Sequence, residues 1–305
     1  MDTSDRMNNK ILVSVVMLTY NRTTLIVESI KSVLEQSYQR IELLIIDDGS
    51  IDNTNELIRS FANPCINYFF FEHTGHISYL RNFGMHQAKG DFIAFIDSDD
   101  LWRKDKIQSQ VEILTNNPDV GFTFSDIEEF STNHSVKNKL YHSMFKKEHF
   151  FMGNVFSELI SNKMSIYPSS VMFRKSCLHK TGSIDETFRS GENNFLIRLA
   201  FNFDTFIVSD CLTSIRKHEG NISSVMQFEA FQEMSATIQF FYDKGTINEK
   251  IANDSFVSLQ YGLAMDLWRR KEFKRCRVEL RFCVQRKPFF LNAWVRYFLS
   301  YLKHA

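Results

Sequence analysis

Three carboxylates close the run FIAFIDSDDLW at residues 92–102, and their spacing raises the first chemical question. Phe92 to Ile96 has the composition of a buried strand, yet the strand runs straight into Asp97, Ser98, Asp99 and Asp100. Like charges this close repel one another unless water screens them or a cation sits among them. Alternate strand side chains point to the same side, so Asp97 and Asp99 suit a single site. A hard divalent cation, Mg²⁺ or Mn²⁺, takes carboxylate oxygens and keeps further positions for phosphate oxygens. The motif is short, however, and a solvated strand-to-helix loop capped by Asp100 would carry the same letters.

Two further polar clusters follow apolar runs. TYNR (Thr19–Arg22) offers Tyr20 as a flat face for a base, with Asn21 and Arg22 as polar anchors. IIDDGSID places Asp48 where a carboxylate accepts hydrogen bonds from a base N–H or a ribose hydroxyl, and Gly49 frees the turn. Taken singly, each is equally readable as an ordinary turn or a helix cap. Arg81, in SYLRNFGMHQAKGD, precedes the acidic strand and suits a phosphate or ribose oxygen, although a lone Arg is more often at the surface.

These clusters need a scaffold that brings them to one edge. From residue 11 to 124 the chain alternates apolar strands (ILVSVVML, IELLIID, INYFFF, DFIAFID, VGFTF) with helical segments (Thr23–Gln36, NTNELIRSF, Ser78–Ala88, Lys104–Asn116). That alternation predicts an α/β fold, a mostly parallel sheet with helices on both faces. Ligands of such sheets lie at the carboxyl ends of the strands, where TYNR, DDGS and DSDD all fall. The middle is less regular: FMGNVFSELIS reads as helix, SSVMF as a short strand, Asn194–Phe203 as helix, and TFIVS with LTSIR as a strand pair. From Phe228 the reading is helical, with Leu259–Lys271 and Glu272–Arg286 as an antiparallel pair and Pro288 before a last helix.

The ordered set VSVVMLTYNR, SVLEQSY, IELLIIDDGSIDNT and RNFGMHQAKGDFIAFIDSDDLW resembles the family 2 glycosyltransferases, which have the GT-A fold, a Rossmann-like α/β arrangement. The resemblance implies a nucleotide-sugar donor, UDP- or dTDP-linked, and inversion at the anomeric carbon. It implies that Tyr20 stacks on the base, with Thr19, Asn21 and Arg22 beside it, that Asp48 contacts the base, and that Ser98 lies near the ribose. Asp99 becomes the principal metal ligand, with Asp97 next to it. The family's acidic pair at a helix start falls on SGENNFLIRLAFN, where only one carboxylate survives, making Glu192 the expected catalytic base. IRKHEGNISS resembles a segment whose His approaches the metal or diphosphate, which singles out His218. The expected domains are 11–225, with a nucleotide-binding half (11–125) and an acceptor half (126–225), and a helical extension at 226–305. The resemblance also implies a glycan acceptor, lipid-linked as in bacterial surface-polysaccharide synthesis. A nucleotide-sugar-binding protein without transfer activity keeps Tyr20, Asp48 and Asp99 and needs no base. A dinucleotide oxidoreductase needs GxGxxG after the first strand, and TYNRTT has no glycine.

Composition bounds the remainder. The 305 residues carry 36 basic and 36 acidic groups, so nothing calls for a nucleic-acid partner. The balance is uneven: residues 266–305 hold eleven Lys or Arg against three Asp or Glu. The tail also carries Phe289, Phe290, Trp294, Tyr297, Phe298 and Tyr301, a combination that suits a membrane surface or, alternatively, helical packing. Five scattered cysteines without a CxxC pair argue against a disulfide framework and for a reducing compartment. The first residues lack a signal h-region, so the expected location is cytoplasmic, with peripheral contact at the inner face of the membrane.

Overall fold

The computed structural model describes residues 11–131, the backbone of 135–138, and residues 150–218 and 227–302. The chain divides into two compact units, Met1–Phe156 with Ile166–Val225 and Ser157–Ser165 with Met226–Ala305.

In the first unit the elements run β1 (Val13–Thr19), α1 (Ile26–Leu34), β2 (Ile41–Asp47), α2 (Thr54–Ser60), β3 (Ile66–Phe70), α3 (Ile77–Gln87), β4 (Phe92–Asp97), β5 (Leu101–Trp102) and α4 (Lys106–Asn116). They continue with β6 (Val120–Phe130), β7 (Ser135–Asn138), β8 (Phe150–Gly153), the short α5 (Phe156–Ile160) that crosses the unit boundary, β9 (Met172–Arg174), α6 (Leu178–Thr181), α7 (Glu192–Asn202) and β10 (Asp204–Arg216). The sheet order is β3-β2-β1-β4-β9-β6-β10-β5, with β7 on β6 and β8 on β10. Strands β3, β2, β1 and β4 are parallel, and their register sets Thr19 beside Asp47 and Leu18 beside Asp97. The three polar clusters therefore leave the sheet at one level. The apolar runs are buried on both faces, as parallel strands covered by helices require: Val13, Val15, Ile45, Ala94 and Ile96 share a core with Ile26, Ile30, Ile107 and Val111.

Beyond β4 the sheet is mixed rather than mostly parallel. Strand β9 runs antiparallel to both β4 and β6. Ser169 lies against the loop that leaves β4, where its backbone carbonyl accepts the Trp102 Nε1 hydrogen bond at 2.8 Å. The chain thus enters β9 from the carboxyl edge and must run back. TFIVS and LTSIR form one strand, β10, paired with β6 and interrupted by register shifts near Cys211 that absorb the intervening residues. FMGNVFSELIS, read as helix, is strand β8 followed by α5; Phe150 stacks on Phe206 at 4.9 Å.

The second unit contains α8 (Gln227–Asp243), α9 (Glu249–Arg269), α10 (Phe273–Arg286) and α11 (Leu291–Leu302). Helix α9 starts ten residues before the expected Leu259, because Asn248 caps it by accepting the Ile251 N–H at 2.9 Å. Val257, Ala264, Leu267, Cys276, Leu280, Cys283 and Ala293 form its core, with Tyr261, Trp268, Phe290, Trp294 and Tyr297 packed around them. No helix among the described residues is long and apolar enough to cross a membrane.

Candidate active site

At the ends of β1 and β2 the loops hold one another. Asn21 adopts a left-handed backbone (φ 51°), donates its N–H to Ser50 Oγ and accepts the Ile51 N–H on its side chain. Its visible task is to join TYNR to DDGS. Arg22 and Thr23 donate backbone N–H groups to Thr54 and Asp52. Asp47 Oδ1 accepts the Ser50 N–H, and Oδ2 accepts the Tyr68 hydroxyl. Asp48 is buried and takes Thr74 N and Oγ1 on Oδ1, with Gly75 N on Oδ2. His73 Nδ1 lies 3.0 Å from the same Oδ2. Gly49 has φ +80°, and a Cβ there would meet the His73 backbone nitrogen at 2.6 Å, so only glycine lets the 73–75 segment close over Asp48. His73 stacks on Tyr20 with ring centroids 4.1 Å apart, and Tyr20 remains 38 % exposed. Thr19 Oγ1 is buried with no hydrogen-bond partner among the described residues, an orphan hydroxyl at this edge. The sequence singled out Tyr20 and Asp48 but not His73, Thr74 or Gly75. A Thr-Gly turn is their only local mark.

At the end of β4 the three carboxylates part company. Asp99 Oδ2 is 2.9 Å from His218 Nε2 and 3.5 Å from Arg22 Nη2. Asp97 instead faces Arg81, whose Nη2 donates to it at 2.8 Å. Asp100 is buried; Oδ2 accepts the Ser169 hydroxyl and Oδ1 the Arg216 backbone N–H at 3.1 Å. Burial, then the neighbouring Asp97 and Asp99 charges, raise the Asp100 carboxyl well above the ordinary range. Arg216 Nε also reaches the Asp99 carbonyl at 3.0 Å. Together these bonds tie the end of β10, and hence His218, to the acidic turn. Ser98 is buried beside them. The sequence reading passed over Ser169 and Arg216, since neither forms a motif with DSDD. The Asn-Ile-Ser part of IRKHEGNISS lies outside the described residues.

Arg81 is not where a phosphate-facing cation belongs. It is 1 % exposed; Nε donates to Glu192 Oε1 at 2.7 Å, Nη1 to the Val16 carbonyl at 3.3 Å, and the guanidinium lies 4.7 Å over the Phe95 ring. Burial opposes its charge, but Glu192 and Asp97 outweigh burial and raise its pKa. The ion pairs occupy the donors that a phosphate would need. Glu192 opens α7, where Gly191 donates its N–H to Ser78 Oγ at 2.6 Å. A Cβ at Gly191 would come within 2.8 Å of the Asp185 carbonyl and 2.9 Å of the Ile184 side chain, so the close approach to the 184–185 loop requires glycine. The neighbouring acids are engaged elsewhere: Asp185 accepts Thr187 N and Oγ1 within its own turn, and Glu186 accepts Asn82 Nδ2 from α3.

The expected metal set of Asp97, Asp99 and His218 is not assembled as three, and no group of three or more His, Cys, Asp or Glu side chains suited to a metal occurs among the described residues. Arg81 neutralises Asp97, which leaves Asp99 and His218 as a pair. One carboxylate and one imidazole are donors that would suit a divalent cation able to take phosphate oxygens as well.

A parallel half-sheet with polar loops at its carboxyl edge, a mixed continuation, and an acid at a helix N-terminus joined to that edge define the GT-A glycosyltransferase plan. The fold matches Staphylococcus aureus TarS 1–349 in complex with UDP-GlcNAc (TM-score 0.68, 17 % identity, 95 % of this chain and 89 % of that one). It also matches a mannosyltransferase from Pyrobaculum calidifontis in complex with GDP-Man and Mn²⁺ (TM-score 0.63, 15 % identity, 97 % and 81 %). These are likenesses of fold. The chain belongs to glycosyl transferase family 2, which it matches over residues 14–182, more than half its length. An Escherichia coli relative, UDP-Glc:alpha-D-GlcNAc-diphosphoundecaprenol beta-1,3-glucosyltransferase WfgD, is 37 % identical over 125 residues, 41 % of this chain and 49 % of that protein. The chain spans between under a third and about half of the curated relatives it matches.

Proposed function

We propose that the chain is an inverting, metal-dependent glycosyltransferase that moves a sugar from a UDP-sugar to a hydroxyl of a glycan acceptor. Residues 11–225 act as the catalytic domain and 226–305 as a helical extension. The observation that carries this reading is Arg81, which links Glu192 at 2.7 Å and Asp97 at 2.8 Å and so seats an acid at the strand edge that family members use for the donor.

Tyr20 offers its exposed ring to the base, and Asp48 shapes that side of the site through residues 73–75. Asp99 and His218 are the residues that would hold a divalent cation, Mn²⁺ or Mg²⁺, which when bound supplies Lewis-acid stabilisation of the departing diphosphate. The acceptor oxygen bonds to the sugar C1 as the bond from C1 to the diphosphate oxygen breaks, through an oxocarbenium-like transition state. The acceptor proton passes to Glu192, whose other oxygen is anchored by the Arg81 ion pair. The nucleoside diphosphate leaves, and no covalent intermediate on the protein is needed.

UDP-GlcNAc in the TarS complex supports the donor class, and Mn²⁺ in the mannosyltransferase complex supports the cation. The E. coli relative, which glucosylates alpha-D-GlcNAc-diphosphoundecaprenol, supports a lipid-linked glycan acceptor. The test is nucleoside diphosphate release over a panel of nucleotide-sugars, with Mn²⁺, Mg²⁺ or excess chelator. Release restricted to UDP-sugars and abolished by chelator is expected. Donor binding without release, with lipid-linked and free glycan acceptors alike, would make the protein a binder instead.

A further inference from the structure

Helix α11 is apolar on two sides. Ala293 and Ser300 are buried, and Trp294 and Tyr297 pack with them against the helical core. On the opposite side Leu291, Val295, Phe298 and Leu302 are 74, 55, 61 and 72 % exposed. Their spacing of four, three and four residues draws one stripe along the helix. Phe289, just before the helix, is 93 % exposed, while Trp294 Nε1 holds the Pro288 carbonyl at 2.8 Å and orders that turn. The tail aromatics are thus of two kinds: one set builds the helical core and the other is left in water.

The charge beside this stripe is predominantly positive. Helix α11 contains no Asp or Glu, and residues 266–305 hold eleven basic groups against three acidic ones. Arg277 bridges from α10, donating to the Ser300 carbonyl at 2.9 Å and lying 4.7 Å over the Tyr301 ring. Lys274, Arg275 and Arg281 are exposed on α10. A second copy of the chain docked face to face would bring two positive surfaces together, which opposes that pairing. An anionic bilayer answers both features, since the stripe enters the acyl boundary while the cations stay among the headgroups.

We propose that the outer face of α11, with the basic residues of α10, is a docking surface for an anionic lipid bilayer. Helix α11 lies in the interface without crossing it. The inference shares with the proposed function only the membrane-borne acceptor, and its test needs no sugar nucleotide, so either can fail alone.

The experiment is flotation of the full chain with phosphatidylcholine vesicles, with and without phosphatidylglycerol, at low and high salt. Binding is expected only with phosphatidylglycerol and should weaken as salt rises. Phe298→Glu with Leu302→Glu is expected to cut the bound fraction about tenfold. Lys274→Glu with Arg281→Glu should lower it by a similar factor for anionic vesicles. Lys274, Arg281 and Leu302 are exposed, while Phe298 also stacks on Trp294 at 5.5 Å. Flotation is therefore compared only between variants whose circular dichroism matches the parent chain, with Leu302→Glu alone as the second apolar variant. No flotation, equal flotation with neutral vesicles, or unchanged binding by correctly folded variants would overturn the proposal. So would a concentration-dependent dimer, seen by light scattering, that the Phe298 and Leu302 changes abolish without altering flotation.

Discussion

The two ends of the candidate site are built by different means. At the base end, Asp48 is held by residues 73–75, Asn21 by residues 50 and 51, and Asp47 by Ser50 and Tyr68; every partner comes from the first parallel half-sheet. At the phosphate end the bonds span far more chain: Arg81 to Glu192 is 111 residues, Asp100 to Arg216 is 116, and Asp99 to His218 is 119. The base end is a turn-and-loop device built mostly within the βαβαβ region from β1 to β3, with an outside tie where the Gly75 carbonyl accepts Arg189 Nε at 2.6 Å. The phosphate end exists only once α7 and β10 have packed against it. Damage at the first should therefore stay in affinity, while damage at the second should reach both turnover and folding.

The largest expected effect is at Asp99. Asp99→Ala should lower kcat by about 10³-fold and remove the response to added Mn²⁺ or Mg²⁺, because the charge that anchors the cation is gone. Metal titrations of activity check it, and full activity of the variant in chelator would break the assignment. Arg81→Met leaves Asp97 and Glu192 without their shared cation, and removing one partner of a buried pair costs about 3 kcal/mol. Thermal or denaturant unfolding reads that loss. If the site ends were alike, Asp48→Asn would cost as much, and it should not.

Glu192→Gln should lower kcat about 10²-fold with the UDP-sugar Kd nearly unchanged, whereas Asn193→Ala should do little. Single-turnover kinetics beside equilibrium binding separate the two terms. Near-normal turnover would return attention to Asp185 and Glu186. The base end sits lower on the scale. Tyr20→Ala should weaken nucleotide binding by about tenfold, the typical loss of one base–aromatic stack, with kcat at saturating donor hardly changed. Calorimetry with UDP checks it.

The smallest effect lies outside both ends. Lys106 is fully buried, its Nζ 3.7 Å from the centre of the Trp102 ring with no hydrogen-bond partner among the described residues. Burial depresses its pKa well below the ordinary 10.5, so the unfolded chain binds a proton there that the folded chain sheds. That cost is fully present below the lowered pKa and fades as pH rises toward 10.5. Lys106→Met should therefore stabilise the protein by about 1 kcal/mol at pH 7, and less near pH 10, without altering transfer. Melting curves at the two pH values check the sign.

Much of this was legible before any coordinates. The strands of the first half-sheet, the position of their polar ends and the family resemblance follow from local pattern, because a parallel strand buried on both faces has little choice of composition. Gly49 announced a turn through a backbone preference that acts within a few residues, whereas the Asn248 cap went unread and the helix it opens was expected only from Leu259. The mixed sheet did not announce itself. Met172–Arg174 looks like any short strand, and its direction was set by Ser169 meeting Trp102 at the carboxyl edge. Likewise, Arg81 reads as a surface or phosphate-facing cation until Glu192 and Asp97 close on it. Side-chain type and spacing determine which groups are present and which turns carry them. Which carboxylate faces His218, which takes an arginine and which braces a strand was decided by how α3, α7 and β10 pack on the acidic turn, because an ion pair depends on distance in space and leaves no period in the chain.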